Sequence, residues 1–161
     1  MRKRVINQEH LDATSDVTID EIRWLDLSHV ASVEVTSEAE SHPIESALLR
    51  GNAPGWRASQ PGEQLIRLIF DEPQRIGLIK LLFVEEERAR TQQFVLRWLQ
   101  NDRPHYQEIL RQQYNFSPPG TTQESETYAA VLADLVALEL SIVPDISGGD
   151  ARASLTSLRL A

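Results

Sequence analysis

The side chains best suited to recognition chemistry in this chain are aromatic rings and guanidinium groups set among glycine and proline. Trp56-Arg57 follows Pro54-Gly55, and Arg111-Gln112-Gln113-Tyr114-Asn115-Phe116 runs into Ser117-Pro118-Pro119-Gly120. An aromatic face suits the apolar C–H groups of a sugar while arginine, asparagine or glutamine bonds its hydroxyls. The same groups stack on a base or anchor a protein hot spot. The competing reading is that Trp56 and Phe116 plug one end of a β core, and sequence alone leaves the two readings level.

Groups for covalent chemistry are sparse. The chain has no cysteine, which excludes disulfides, thiol nucleophiles and thiolate metal sites. It contains no GxSxG elbow, no GxxxxGK[ST] phosphate loop and no HExxH helix. His10, His29, His42 and His105 lack the i,i+4 or i,i+2 spacing of a metal pair and read as surface or loop residues. Glu85-Glu86-Glu87, followed by Arg88 and Arg90, reads as a solvated hairpin tip. Asp145 and Asp150 bracket Gly148-Gly149; without further acids at alternating spacing this is a turn rather than a calcium loop. The expectation is a binding protein and not an enzyme.

These residues sit in a chain of 161, long enough for one domain that buries about 68–70% of its unfolded surface. The formal net charge is -8, and it is local: residues 11–45 hold nine acids and one base. That segment reads as a solvated face, or alternatively as a partner-docking surface. The chain lacks the basic footprint of nonspecific nucleic-acid binding. Fourteen arginines against two lysines suit planar recognition, and equally a GC-rich genome. No apolar run reaches the roughly 18–20 residues of a membrane helix. Met1-Arg2-Lys3-Arg4 is followed by polar residues where a signal peptide would be apolar. The expectation is a cytoplasmic protein with no membrane insertion.

The elements that position these groups are mostly strands. Residues 1–16 read as a loose arm, and 17–161 as one domain in which Val17-Thr18-Ile19-Asp20 is a short alternating run. Val33 and Val35 alternate with Ser32 and Glu34, the period of two of a half-buried strand. Pro43 to Leu49 predicts a short helical turn near 43–50, and 52–62 a loop holding Trp56. Strands are predicted over 64–70 and 76–84, separated by a turn at Asp71-Glu72-Pro73-Gln74. Phe94, Leu96 and Trp98 mark another strand, 106–112 a further one, and 117–127 a long loop. Residues 128–142 fit both a helical and a strand period, resolved here as a turn near Asp134 and a strand over 136–143. Ala153 to Leu160 is the last strand. Seven or eight short strands with Pro/Gly turns predict an all-β antiparallel sandwich.

The order of features resembles that of discoidin, or coagulation-factor C-type, domains. The residues that carry the likeness are Val33 to Glu38, His42 to Leu49, Gly51-Asn52 and Gly55-Trp56-Arg57, followed by the strand at 64–70 and the closing strands. The resemblance covers roughly residues 30–161 and implies a galactose-binding-like jelly roll. Many relatives are noncatalytic modules that bind sugars, lipid head groups or proteins through loops at one end. It implies a binding module, and carbohydrate is the expected ligand, with the loop residues Trp56, Arg57, Arg90, Arg111, Asn115 and Phe116 as the expected contacts; the stretches 90–92 and 115–120 have no counterpart in the sugar-binding members. The fold is also similar to the N-terminal domain of the X-ray repair scaffold protein, which binds a polymerase, so a protein partner or a homo-oligomer is the alternative. Two family acids near a structural calcium are replaced by Arg50 and Ser157, so neither calcium nor another cofactor is expected.

Overall fold

Period-two runs of β-branched and aromatic residues dominate the chain and fold as antiparallel strands. The computed structural model describes residues 22–49, 51 and 54–161. The expected arm at 1–16, the run at 17–20, Arg50 and Asn52 lie outside the described residues. A short helix α1 (Leu27–Val30), capped by the Asp26 side chain on the Ser28 N–H, leads into β1 (Ala31–Val35). A second short helix, α2 (Glu45–Leu48), falls where Pro43 predicts a helical turn. Then follow β2 (Trp56–Pro61), β3 (Gln64–Val84), β4 (Arg90–Gln100), β5 (Gln107–Phe116), β6 (Gln123–Val143), β7 (Arg152–Leu155) and β8 (Ser157–Leu160).

One sheet runs in the order β1-β3-β6-β4-β5, with β8 also on β3, and β2 pairs with β7. The two longest strands carry pairing into both layers. Residues 66–69 of β3 lie between β1 and residues 137–140 of β6, whereas residues 79–82 lie between β8 and residues 125–128 of β6. Phe83 on β3 and Phe94 on β4 share no ladder, yet their rings sit 5.1 Å apart, so the contact crosses the core. Ile66, Leu68, Ile79, Leu81, Phe83, Phe94, Leu96 and Leu138 are all buried there. Each such side chain stabilises the fold by roughly 1.5–3 kcal/mol.

Four expectations are corrected. The turn at 71–74 is absent: β3 continues through Pro73, and the β3–β6 register shifts between Ile69 and Leu78. Pro73 lacks an N–H, and the irregular stretch makes no demand for one. Residues 123–127 of the expected loop and the helix-like stretch at 128–133 are strand, the first half of β6. Asp134 is not a turn between elements but a residue at φ 57 within β6. The extra residue lets Leu132 and Leu135, three apart, both point inward, which reproduces a helical spacing in a strand. The closing strand is two strands that part at Thr156, whose N–H bonds the Leu82 carbonyl. Gly55 touches this corner: a Cβ on it would lie 2.7 Å from the Leu155 carbonyl oxygen.

Candidate binding pocket at one end of the sandwich

The β7–β8 corner, the start of β2 and the β3–β4 connection meet at the end of the molecule where β3 finishes. They enclose an open pocket of about 200 Å³ bounded by His42, Pro54, Trp56, Arg57, Val84, Glu85, Glu86, Glu87, Ser154, Leu155 and Thr156. The backbone sets the first wall. Arg57 pairs with Ser154 across β2–β7, its N–H bonds the His42 carbonyl, and its carbonyl accepts from the Ala39 N–H. The tight turn at 39–42 is thereby docked on β2, which brings His42 beside Arg57. Glu38 holds the next segment by accepting the Ile44 N–H at 3.0 Å.

The second wall is the acidic run 85–87, fixed from inside by Arg90. This arginine is 5% exposed. Its Nε donates to Glu85 Oε1 at 2.7 Å, and its Nη1 donates to the Pro144 carbonyl at 2.8 Å and to Gln92 Oε1 at 3.1 Å. The guanidinium carbon lies 4.7 Å from the centroid of the Phe116 ring, a desolvated cation–π contact. Glu85 also accepts the Glu87 N–H at 3.0 Å. Burial works to raise the Glu85 pKa, but the Arg90 and backbone hydrogen bonds prevail and hold it below the usual glutamate value. Behind this, Gln92 Nε2 donates to Glu124 Oε1 at 3.1 Å.

The residues expected to bind ligand therefore divide. Trp56 and Arg57 border the pocket, but Trp56 opens a strand rather than sitting in a loop. It is 1% exposed, and its Nε1 donates to the Ser37 carbonyl at 3.0 Å. Phe116, also 1% exposed, packs edge-on against Tyr114 with centroids 5.0 Å apart and carries Arg90 on its face. Both aromatics thus have no free face, which is the plug reading. Asn115 accepts the Thr91 hydroxyl at 2.6 Å on the exposed side of β5. Arg111, on the same side, is paired with Glu108 at 2.8 Å and lies outside the pocket. The sequence gives no signal for His42, Ser154 and Thr156 as site residues, and it predicts a solvated tip at Glu85 to Glu87, which instead form a pocket wall. Nothing local in the sequence marks them, because only the strand pairing gathers them.

Among the pocket side chains, Arg57 and the carboxylates of Glu86 and Glu87 make no hydrogen bond or ion pair with any described residue. They are charged donors and acceptors with capacity to spare. The position at which the resemblance implies calcium is differently furnished. Arg159 donates from Nη1 to the Ala47 carbonyl at 3.1 Å and from Nη2 to the Leu49 carbonyl at 3.0 Å. A guanidinium on those oxygens repels a hard cation, so the donor set does not fit one.

No protein-family model matches the chain, and no curated protein matches it by sequence. Solved structures do match. The family 32 carbohydrate-binding module of NanJ from C. perfringens, in complex with galactose, is 14% identical over 85% of this chain and 96% of that chain, with TM-score 0.61. The F5/8 type C domain of a Bacteroides fragilis protein is 9% identical over 85% and 93%, with TM-score 0.57. Reduced XRCC1, bound to the DNA polymerase β catalytic domain, is 14% identical over 87% and 97%, with TM-score 0.59. The likeness establishes a galactose-binding-like sandwich and does not choose among sugar, lipid and protein ligands.

Proposed function

We propose that this chain is a noncatalytic carbohydrate-binding module that seats a sugar in the pocket between Arg57 and the 85–87 wall. The observation that carries the reading is an open pocket in a fold whose solved neighbours include a module in complex with galactose, with three of its charged groups unengaged among the described residues. Arg57 offers a planar fork to adjacent hydroxyls, and Glu86 and Glu87 accept from hydroxyl or ammonium donors. Ser154 and Thr156 add hydroxyls that donate and accept. Two unpaired carboxylates against one arginine disfavour sugars bearing a carboxylate. The ligand class is therefore a neutral or amine-bearing sugar. No metal is needed, because Arg159 occupies the carbonyls near α2.

Calorimetric titration with galactose, galactosamine and galacturonic acid tests this. The first two are expected to bind and the third not to, with Arg57→Ala weakening binding at least tenfold in a folded protein. Equal affinity for all three sugars would remove the charge argument and keep the sugar site. Silence from all three, with the protein verified as folded, would reject the module reading.

A further inference from the structure

Glu124 is a buried acid behind the pocket wall that does not itself line the pocket. It is 2% exposed, and its Oε2 has no hydrogen-bond partner among the described residues. It ends a series of side chains that reaches the pocket. Glu124 Oε1 accepts from Gln92, Gln92 Oε1 accepts from Arg90, Arg90 donates to Glu85, and Glu85 accepts the Glu87 N–H. The series links a buried carboxyl to the acidic wall through four contacts of 2.7–3.1 Å.

We propose that protonation of Glu124 gates the order of that wall. A neutral Glu124 leaves the Arg90 guanidinium to Glu85; an ionised Glu124 draws on the same guanidinium and loosens the 85–87 segment. The regulation of binding that follows rests on the pocket being the sugar site, whereas the gate itself does not.

The surroundings favour the neutral form. On its own strand Glu126 repels a carboxylate at 124; from β4, Gln92 donates one hydrogen bond and Arg90 supplies the attracting cation; from β3 the ladder partner is the apolar Phe83. Beyond Arg90 stands the ionised Glu85. Burial is the largest influence, and it pushes the Glu124 pKa up to about 7. Two carboxyls thus flank one arginine, and their environments drive their pKa values apart. An acid raised in the folded state contributes stability that is fully present below the unfolded value of about 4.5 and is lost as pH rises through about 7. The folding equilibrium should fall by on the order of a hundredfold across that window.

The Arg90 Nε–H is buried on Glu85 and reports the gate directly. Its solvent exchange, measured by NMR at pH 5.5 and 8 and corrected for intrinsic base catalysis, should quicken at least tenfold in the wild type. In Glu124→Gln, whose amide is neutral at both pH values, only the intrinsic change should remain. Equal behaviour of the two proteins would overturn the gate. Carbon-13 titration of the Glu124 carboxyl in the wild type needs no variant; a midpoint near 7 is expected, and one below 5 would also overturn it. Galactosamine titrated at both pH values separates the two ideas. Weaker binding at pH 8 in the wild type alone supports both. A working gate without sugar binding at either pH leaves the gate standing and removes the binding reading.

Discussion

At the scale of single residues, burial and not residue type decides who can meet a ligand. Trp56, Arg90 and Phe116 have the side chains of a recognition site and are sealed by their neighbours, while Arg57 beside them is exposed. Replacing Trp56 with alanine should therefore unfold rather than merely blunt the protein, at about 3–5 kcal/mol in urea denaturation. Arg57→Ala should stay within about 0.5 kcal/mol of wild type in the same experiment and show its effect only in binding. Arg90→Ala should cost about 3–5 kcal/mol, since it strands Glu85, Gln92 and the Pro144 carbonyl around a missing charge. An Arg90→Ala protein of wild-type stability would show that the network is decorative. The site was half legible for this reason. An aromatic beside Gly-Pro carries one local signal for two opposite fates, and what separates them is which strands close over it. Ser154 and Thr156, nearly a hundred residues from Arg57, carry no signal at all until β2 and β7 pair.

At the scale of elements, the irregularities do the positioning. The β7–β8 corner needs Gly55 against it, because that residue has φ 87 and its missing Cβ would meet backbone at 2.7 and 2.9 Å. Gly62 has the same φ with nothing within 4 Å. Gly55→Ala should thus be the more damaging change, by at least about 1 kcal/mol over the roughly 1 kcal/mol of dihedral strain that Gly62→Ala pays alone. Equal losses in thermal melts would mean the corner yields freely. The regular stretches around such points were plain in the sequence. Val33/Val35, Ile66/Leu68/Phe70, Ile79/Leu81/Phe83 and Phe94/Leu96 keep a strict period of two because one face of each packs on the core, the two valines half-buried and the others buried. The period fails where an extra residue enters. Pro73 then imitates a turn, Leu132 and Leu135 imitate a helix, and the Thr156 corner between two ladders imitates continuity. Arg159 makes a similar substitution of means near α2, where its two carbonyl contacts hold the helix end that the resemblance would give to calcium. Melting temperature should be indifferent to calcium and to chelator, and Arg159→Ala should lower it. A rise with calcium in the wild type would refute this account of the donor set.

At the scale of the whole molecule, one row of side chains crosses all five strands of the β1-β3-β6-β4-β5 path. Glu34 stands opposite Arg67, Arg67 opposite Glu139, Glu139 opposite Arg97, and Arg97 opposite Glu108, so sign alternates at every strand. Like charges directly opposite would be unfavourable, and a register slip of one residue on any strand would break the alternation. The row thus helps fix the register that the hydrophobic face demands on its other side. Its members differ in weight. Arg67 reaches Glu34 at 2.9 Å, where the acid is mostly exposed, and Glu139, where the acid is 11% exposed. The Glu139 and then the Glu34 hydrogen bonds raise the Arg67 pKa further above its ordinary value, so it is charged at any working pH. An exposed pair contributes about 0–1 kcal/mol and is screened by salt, whereas a shielded one is screened much less. Glu34→Gln should therefore cost well under 1 kcal/mol and nothing at 1 M salt. Glu139→Gln should cost about 1–3 kcal/mol and keep most of that cost in salt, because it leaves Arg67 facing a neutral, largely buried amide. Denaturant midpoints of the two variants at low and high ionic strength make the comparison, and equal, salt-erased losses would reduce the row to surface decoration.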